Sequence, residues 1–318
     1  MRTRILHMGA ALLFITLAAT AYAQSDACSD GDICVGVLRG PTAVAFSPLI
    51  EAQSTGSPAT LADGTPVSIA LFPTPNELIA AYVSGRVDAA TLPSNAAAVL
   101  SGRGLPIEVS ATFLWGVLYV VGPAGEELED VRGEVETIGR GATPDFVFRY
   151  ILEEQGLADQ ISPSYGFAQV ELSQLLIAGR ERYGVLPEPF VTRVLRENEE
   201  LGIVADLQRR FEALTGLGMP QTFLVARPDG DVPAQLAGIL EGSAAVVLGD
   251  PAAAGATVEA LGIGLDAETV IDALPRLNLR VEGARESEAE LRRYFEILYS
   301  FAPQSVGGAL PSDEFYGE

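Results

Sequence analysis

The sequence predicts an α/β protein made of two lobes that are joined by two crossing strands. From residue 33 onward, short apolar strands alternate with helical stretches, the order that is typical of parallel βαβ units. Two β-rich stretches, residues 107–122 and 220–227, interrupt this alternation and are the predicted crossings. With 318 residues the chain exceeds the usual size of one domain. We expect lobe 1 to comprise residues 24–115 and 224–318, and lobe 2 to comprise residues 116–223. The alternative is a single doubly wound domain with a long insert.

Each predicted strand is a short apolar run, and a helix follows it. Thr74-Pro75-Asn76-Glu77, for example, is a capping box with proline at the first helical position, so a helix begins there. The predicted strands of the alternating parts are DICVGVLRG, PVSIALF, DAATL, EVETIG, ISPSYG and RYGVLPEPF. After the second crossing, helices dominate the remaining residues.

Residues 1–23 are predicted to form a secretory signal peptide. Arg2 and Arg4 precede the apolar stretch AALLFITLAAT, and the small residues Ala21 and Ala23 define a cleavage site after Ala23. The apolar stretch is too short to span a membrane comfortably. We therefore expect a periplasmic or otherwise extracytoplasmic protein.

The two cysteines, Cys28 and Cys34, lie just after the predicted cleavage site. In an oxidising compartment we expect them to form a disulfide that fixes the mature N-terminus beside the first strand. The alternative is a lipid anchor on Cys28. Such a site favours Leu three residues before the cysteine, where this chain has Ser25.

Composition excludes several classes of function. The net charge of −22 repels nucleic acid and anionic membranes, so we expect neither as a partner. All 20 basic residues are arginine, which removes the P-loop lysine and Schiff-base chemistry. The single histidine, His7, lies in the predicted signal peptide, so histidine-based triads and histidine-rich zinc sites are excluded from the mature protein. We expect no catalytic residue, no metal and no cofactor.

Four predicted strand ends share one chemistry: a small or hydroxyl residue, a proline and a helix start. Ligands of open α/β sheets bind beyond the carboxyl ends of the strands. Helix starts add unpaired N–H groups and about half a positive charge. The four sites together predict a shared cleft, and the alternative is that each hydroxyl only caps its own helix. The sites are Gly40-Pro41-Thr42, Pro73-Thr74-Pro75, Pro93-Ser94-Asn95 and Gly141-Ala142-Thr143-Pro144.

The last of these sites belongs to ETIGRGATPDF, which has two glycines around Arg140. A dinucleotide fingerprint needs a third glycine where Pro144 stands, and a P-loop needs a lysine. Both interpretations fail. We predict a glycine-rich turn in which Thr143 is the N-cap of a helix and Pro144 its first residue.

Several segments resemble the periplasmic substrate-binding proteins of ABC importers, in the branch that serves nitrate, alkanesulfonates and thiamine-pyrimidine precursors. The segments are LPSNAAAVL, TFLWGVLYVV, IGRGATPD, GVLPEPFVTRV and VGGALPSDEFY, in the order that the family has them. The resemblance extends from about residue 33 to the C-terminus. It implies a type II periplasmic binding protein whose lobes close on a small-molecule solute. The partners that it implies are a membrane permease and its ATPase, and we expect a monomer.

The resemblance also implies which residues line the cleft. Arg140 and Tyr165 are added for their side chains, because an arginine suits an anion and an aromatic ring suits a flat solute. For some of these residues a structural role is the alternative: Trp115 and Tyr119 as core aromatics, Glu188 as the salt-bridge partner of an arginine near the hinge, and Arg140 as a solvent-facing residue. The predicted ligand-binding residues are Pro41, Thr42, Thr74, Ser94, Asn95, Trp115, Tyr119, Arg140, Gly141, Ala142, Thr143, Tyr165, Glu188 and Phe190.

The chemistry of these residues narrows the solute. The aromatic residues suit a flat ring, and Glu188 suits an amino group or a ring nitrogen. Arg140 and the helix starts suit an anion such as a sulfonate. We predict an organic solute that is ring-containing, nitrogenous or sulfonate-like, in preference to nitrate. The alternative functions are a sensory solute-binding module and an enzyme with the scaffold of the thiamine-pyrimidine synthases. That enzyme needs a cysteine-rich motif and a histidine, which the mature chain lacks.

Overall fold

The structure, a computed structural model, describes residues 28–317. The predicted signal peptide and its cleavage site lie outside the described residues. At the described N-terminus Cys28 and Cys34 form a disulfide, as predicted. Because Cys28 is oxidised, its sulfur is not available for a lipid anchor.

Twelve strands are described, and most coincide with the apolar runs that predicted them. In the inner strands the β-branched and aromatic residues lie mostly in the interior, as the continuous apolar runs predict for strands that are covered on both faces. The strands are β1 (Ile33–Leu38), β2 (Ala59–Thr60), β3 (Pro66–Phe72), β4 (Ala89–Pro93), β5 (Glu108–Trp115), β6 (Leu118–Pro123), β7 (Gly133–Thr137), β8 (Ile161–Ser164), β9 (Gly184–Pro187), β10 (Leu201–Asp206), β11 (Pro220–Ala226) and β12 (Leu279–Gly283).

Twelve α-helices connect or cover these strands, and several of them begin at a proline in the first turn, where the missing N–H is tolerated. The helices are α1 (Pro41–Val44), α2 (Ser47–Ser54), α3 (Pro75–Val83), α4 (Ser94–Gly102), α5 (Thr143–Glu154), α6 (Gln169–Ile177), α7 (Phe190–Glu197), α8 (Leu207–Thr215), α9 (Val232–Gly249), α10 (Pro251–Ala260), α11 (Ala267–Ala273) and α12 (Ala284–Phe301). Short 3-10 turns lie at Leu128–Asp130, Leu274–Arg276, Pro303–Val306 and Asp313–Tyr316.

The strands form two sheets, one in each lobe. Lobe 1 contains the seven-stranded sheet in the order β12-β5-β11-β4-β1-β3-β2, and lobe 2 the five-stranded sheet in the order β10-β6-β9-β7-β8. β1 is parallel to β3 and β4, and β7 is parallel to β8 and β9, as the βαβ rhythm predicts. The predicted two-lobed α/β architecture is therefore confirmed. The residue boundaries of the two lobes stay a prediction.

The chain crosses between the lobes twice, after β5 and before β11. Gly116 in the first crossing has φ 62°, and a Cβ built there would lie 2.1 Å from Oε1 of Gln208. Gly218 in the second crossing lies against the ring of Trp115, with 2.7 Å from a built Cβ to its Cε3. Both crossings therefore need glycine, the first for backbone conformation and both for space.

Helix α12 packs against both lobes. Tyr294 contacts Phe211 of α8, with 5.8 Å between ring centroids, and Phe301 contacts Tyr150 of α5 at 5.7 Å. These rings belong to one buried apolar cluster that continues from the first sheet into the second lobe. The C-terminal helix thus covers lobe 1 and also supports lobe 2.

Among the described helices, α9 alone is long and apolar enough to cross a membrane by length and composition. In the structure its Leu236, Leu240, Ala244 and Val247 are buried against lobe 1. These residues recur at helical spacing, so α9 covers the first sheet with one face.

Three strands were not predicted: β2, β10 and β12. Each is the edge strand of its sheet, which explains why its sequence carries a weaker signal. β12 contains Arg280 and Glu282 on an apolar background, and charged residues are common on sheet edges. β10 directly follows the acidic run at residues 197–200.

Candidate functional site

The carboxyl edges of the parallel strands of the two sheets face each other between the lobes. Ser94 and Asn95 follow β4 in lobe 1, and Thr143 follows β7 in lobe 2. The Thr143 hydroxyl lies 3.1 Å from Oδ1 of Asn95 and donates a hydrogen bond to it. Two of the predicted strand ends are therefore in direct contact across the two lobes.

The helices that begin at this contact, α4 and α5, have no side-chain cap. The N-cap of α4 is Pro93 and that of α5 is Ala142, and neither residue has a side chain that accepts a hydrogen bond from its helix. The prediction that Thr143 is the N-cap of α5 was wrong. Thr143 is the first helical residue, because Ala142 holds the extended conformation of the cap, and its hydroxyl is used across the lobes instead. First-turn N–H groups have no partner within a helix, so both helix starts are available to a ligand.

Tyr294 joins Ser94 and Thr143 at the same place. It is fully buried, and burial raises the pKa of its phenol to about 12, while the nearby hydroxyls of Ser94 and Thr143 act in the opposite direction. Within residues 28–317, neither Oη of Tyr294 nor Oγ of Ser94 has a hydrogen-bond partner of normal geometry. Ser94, Asn95, Thr143 and Tyr294 are called the neutral junction below.

The glycine-rich turn before α5 is organised by Asp145, which is almost fully buried. Its carboxylate accepts hydrogen bonds from the Gly141 amide at 2.7 Å and the Tyr165 hydroxyl at 2.6 Å. It also pairs with Arg149 at 2.8 Å. Burial, followed by the hydrogen bond to Asp145, raises the pKa of Tyr165 to about 12. The Arg140 guanidinium stacks on the Tyr165 ring, 5.2 Å from its centroid.

The remaining strand ends of lobe 1 have structural roles in this state. The Thr74 hydroxyl accepts the Glu77 N–H at 3.3 Å, so Thr74 caps its own helix as predicted, whereas the Glu77 side chain accepts from the Thr74 hydroxyl at 3.1 Å and not from its backbone N–H. Thr42 is buried inside the short helix α1, next to the partly exposed Pro41. Their contact with a solute stays a prediction.

Trp115 and Tyr119 lie at the crossing, and both rings are nearly fully buried. The Trp115 indole N–H donates to the carbonyl of Arg280 at 2.8 Å, and the guanidinium of Arg280 lies 4.4 Å from the ring centroid. The Tyr119 hydroxyl donates to the carbonyl of Arg276 at 2.9 Å. Both aromatic residues are thus hydrogen-bonded to the segment at residues 276–280. These contacts agree with the alternative that Trp115 and Tyr119 are core aromatic residues.

Glu188 is completely buried and forms an ion pair with Arg276 of the other lobe. Its carboxylate also accepts the Thr192 N–H at 3.0 Å, and Arg276 in turn donates to the Thr192 hydroxyl. The Glu188 N–H donates to the carbonyl of Val117 at 2.9 Å, next to the first crossing. Glu188 therefore has the arginine partner that the structural alternative named.

Further along α7, Arg196 contacts a group of acidic residues of lobe 1. It pairs with Glu268 at 2.6 Å and with Asp266 at 3.5 Å, and it donates to the Thr269 hydroxyl at 3.2 Å. We call the contacts of α7 with lobe 1 the charged junction: Glu188, Thr192 and Arg196 on one side, and Asp266, Glu268, Thr269 and Arg276 on the other.

An open cavity of about 510 Å³ lies beside the charged junction, between α7 and residues 264–269. Phe190, one of the predicted residues, lines it together with Arg193 and Leu265. Its volume falls within the range of small-molecule sites. Among the described residues, no group of three or more His, Cys, Asp or Glu side chains is arranged to hold a metal ion.

Sequence reasoning missed Tyr294, Arg276 and Arg196. Tyr294 lies in the middle of a long amphipathic helix, where an aromatic residue is normally a core residue. The available signal was a hydroxyl on an otherwise apolar helix face. Arg276 and Arg196 belong to segments that are far from their partners in sequence, so spacing gave no signal.

No protein-family model and no curated protein matches the chain. Among solved structures, an ABC transporter from Parabacteroides distasonis is 28% identical, with a TM-score of 0.77 and coverage of 90% of this chain and 98% of that one. The periplasmic aliphatic sulphonate binding protein SsuA from Escherichia coli is 13% identical, with a TM-score of 0.68 and coverage of 91% and 100%. The alkanesulfonate-binding protein SsuA from Xanthomonas axonopodis pv. citri, bound to MOPS, is 15% identical, with a TM-score of 0.62 and coverage of 91% and 97%. These relatives confirm the resemblance that the sequence indicated: the chain has the fold of the periplasmic substrate-binding proteins of ABC transporters.

Proposed function

We propose that this chain is the extracytoplasmic solute-binding protein of an ABC importer, which captures a small organic solute between its lobes and delivers it to a membrane permease. The observation that carries the proposal is the hydrogen bond from Thr143 to Asn95 between the two carboxyl edges. It brings together two uncapped helix starts, and such edges are where α/β sheets bind ligands. The similarity to an ABC transporter that is 28% identical supports the same function.

In the proposed mechanism the solute first docks on one lobe, and the lobes then rotate about the two crossings. Gly116 and Gly218 lie at these crossings, where the backbone leaves the first sheet and returns to it. Closure brings α4 and α5 together and creates the surface that the permease recognises. We infer a monomer without enzymatic activity, secreted by means of residues 1–23, with the permease and its ATPase as partners.

The contacts of the predicted residues also bear on the solute. Because Arg276 neutralises Glu188, this carboxylate is occupied and gives less support to a cationic solute. Phe190 and Tyr165 are the predicted aromatic residues that remain partly exposed. A ring-containing, nitrogenous or sulfonate-like organic solute therefore stays the proposal.

Isothermal titration of the purified protein against a panel of such solutes tests the function, with small-angle scattering to follow lobe closure. We expect one class of solute to bind and to reduce the radius of gyration. Asn95→Ala should weaken binding, whereas Gln160→Ala, at the opposite end of the second sheet, should not. If no solute binds and the scattering curve never changes, the proposed function is wrong.

A further inference from the structure

We propose that Tyr294 and Ser94 donate hydrogen bonds to a carboxylate or sulfonate group of the solute, between the starts of α4 and α5. This inference rests on the proposed function and deepens it, because it assigns the chemical group that the site binds. Tyr294 thereby becomes a specificity-determining residue, contributed by the C-terminal helix and not by any of the strand ends.

The first support is burial without a partner. Ser94 and Tyr294 are both 0% exposed, and within residues 28–317 neither side-chain oxygen makes a hydrogen bond of normal geometry, although the Tyr294 hydroxyl lies close to the hydroxyls of Ser94 and Thr143. Buried polar groups in native proteins are nearly always hydrogen-bonded, and leaving one unmade is unfavourable. Among residues 28–317, three further side-chain oxygens share this state, those of Ser110, Thr112 and Gln221, and they belong to β5 and β11.

The second support is the position of the two oxygens. The Tyr294 hydroxyl lies beside those of Ser94 and Thr143, and Thr143 bonds to Asn95 across the lobes, so both oxygens are at the contact between the lobes. The Tyr294 ring is held by edge contacts with Phe211 at 5.8 Å and Phe295 at 5.5 Å. Its hydroxyl therefore has a fixed direction before a solute arrives, which reduces the entropy lost on binding.

The third support is an excess of hydrogen-bond donors. The phenol has a pKa of about 12, so it is protonated and able to donate at neutral pH. The uncapped starts of α4 and α5 add backbone N–H groups and the positive ends of two helix dipoles. Asp145, the nearest acidic residue of α5, is occupied by Gly141, Tyr165 and Arg149. Such a site favours a group that only accepts, and carboxylates and sulfonates share this chemistry.

Three probes that share a morpholine ring test whether the site binds a sulfonate, a carboxylate or neither. They are MOPS, its carboxylate analogue 3-morpholinopropanoate, and 4-propylmorpholine, whose chain is uncharged. Titration calorimetry at neutral pH in Tris buffer measures their affinity for the wild type, Tyr294→Phe and Ser94→Ala. Tyr82→Phe is the matched control, because Tyr82 is equally buried but its hydroxyl donates to the Pro106 carbonyl, away from the junction.

We expect the wild type to bind one or both anions at least about tenfold more tightly than 4-propylmorpholine. Tyr294→Phe and Ser94→Ala should each weaken the anion by about 10- to 100-fold and leave the 4-propylmorpholine affinity unchanged. If Tyr294 and Ser94 had only a structural role, the two variants would bind all three probes more weakly than the wild type does. The ratio of the two anion affinities identifies whether the site prefers the sulfonate or the carboxylate.

Three results would overturn the inference: equal affinity for 4-propylmorpholine and the anions, no anion binding up to the millimolar range, or unchanged anion binding in both variants. If neither anion binds but an uncharged or cationic solute of the panel closes the lobes, the proposed function stands and this inference falls. Thermal unfolding measures whether each variant is folded. If Tyr294→Phe does not fold, Ser94→Ala still tests the inference.

Discussion

The two lobes meet at two junctions of opposite chemistry. At the charged junction, Glu188 and Arg276 pair with each other, and Thr192 bonds to both of them. At the neutral junction, the bond from Thr143 to Asn95 is made, but the oxygens of Ser94 and Tyr294 make no hydrogen bond of normal geometry among the described residues. At the charged junction these polar groups bond to each other, whereas at the neutral junction two hydroxyl groups are left to bond to a solute.

The difference follows from distance to the crossings. Glu188 bonds to Val117, so its pair with Arg276 lies beside the first crossing, and in the proposed closure we expect it to move little. The neutral junction lies at the ends of β4 and β7, where the proposed rotation would separate the lobes. We interpret the charged junction near the crossing as structural and the neutral junction as the part that takes the solute.

The largest expected effect is the loss of the buried ion pair. Arg276→Met leaves the Glu188 carboxylate buried and unpaired, so we expect the free energy of unfolding to fall by about 3–5 kcal/mol. Arg209→Met is the control, because its side chain is 86% exposed and its pair with Asp206 should contribute less than about 1 kcal/mol. Urea unfolding measures both. Equal losses in the two variants would show that the charged junction is not structural.

The next effect compares two buried tyrosines. Tyr82→Phe removes a hydrogen bond to the Pro106 carbonyl and should destabilise the solute-free protein by about 1 kcal/mol. Tyr294→Phe removes a hydroxyl that makes no hydrogen bond of normal geometry to a described residue, so its unfolding midpoint should be unchanged or higher. A loss for Tyr294→Phe as large as that for Tyr82→Phe would mean that the phenol is satisfied in the free protein.

The smallest expected effect is a pH dependence at the outer part of the charged junction. Hydrogen bonds from Thr269, together with Arg196, lower the pKa of Asp266 below its ordinary value of 3.8. Because the folded pKa is the lower one, this stabilisation is present above pH 3.8 and is lost as the pH falls through the folded value.

Asp266→Asn keeps a side chain that caps α11 but removes the charge. The wild type should therefore be more stable than this variant by about 0.5 kcal/mol near neutrality, and the difference should vanish in acid. Thermal unfolding across this pH range measures it. A difference that persists at the acid end would contradict the assignment to the Asp266 charge.

Much of the fold was accessible from sequence because the parallel strands are buried on both faces. PVSIALF and DAATL, for example, are continuous apolar runs bounded by turn residues, and β3 and β4 lie there. The edge strand β12 was missed because it mixes charged and apolar residues, and β10 was missed because its short apolar run directly follows an acidic stretch. The disulfide was predictable from compartment and spacing.

The site was only partly accessible for a different reason. Capping patterns identify helix starts, so the sequence predicted that Ser94, Asn95 and Thr143 lie at helix starts, as the structure shows. A sequence does not indicate whether a hydroxyl caps its own helix, as Thr74 does, or reaches across the lobes, as Thr143 does. Tyr294 and Arg276 are brought to their junctions by the tertiary fold alone, and no local pattern marks them.

The position of β11 has a consequence for the order in which the chain is synthesised. β11 lies between β4 and β5, so it joins the two halves of the first sheet, although lobe 2 separates it from both in sequence. Until β11 has been made, the facing edges of β4 and β5 are unpaired, and unpaired edges promote aggregation. Lobe 2 is one continuous segment and is able to fold before this point. The emerging chain is therefore most in need of a chaperone, or of being held unfolded for export, while lobe 2 is being made.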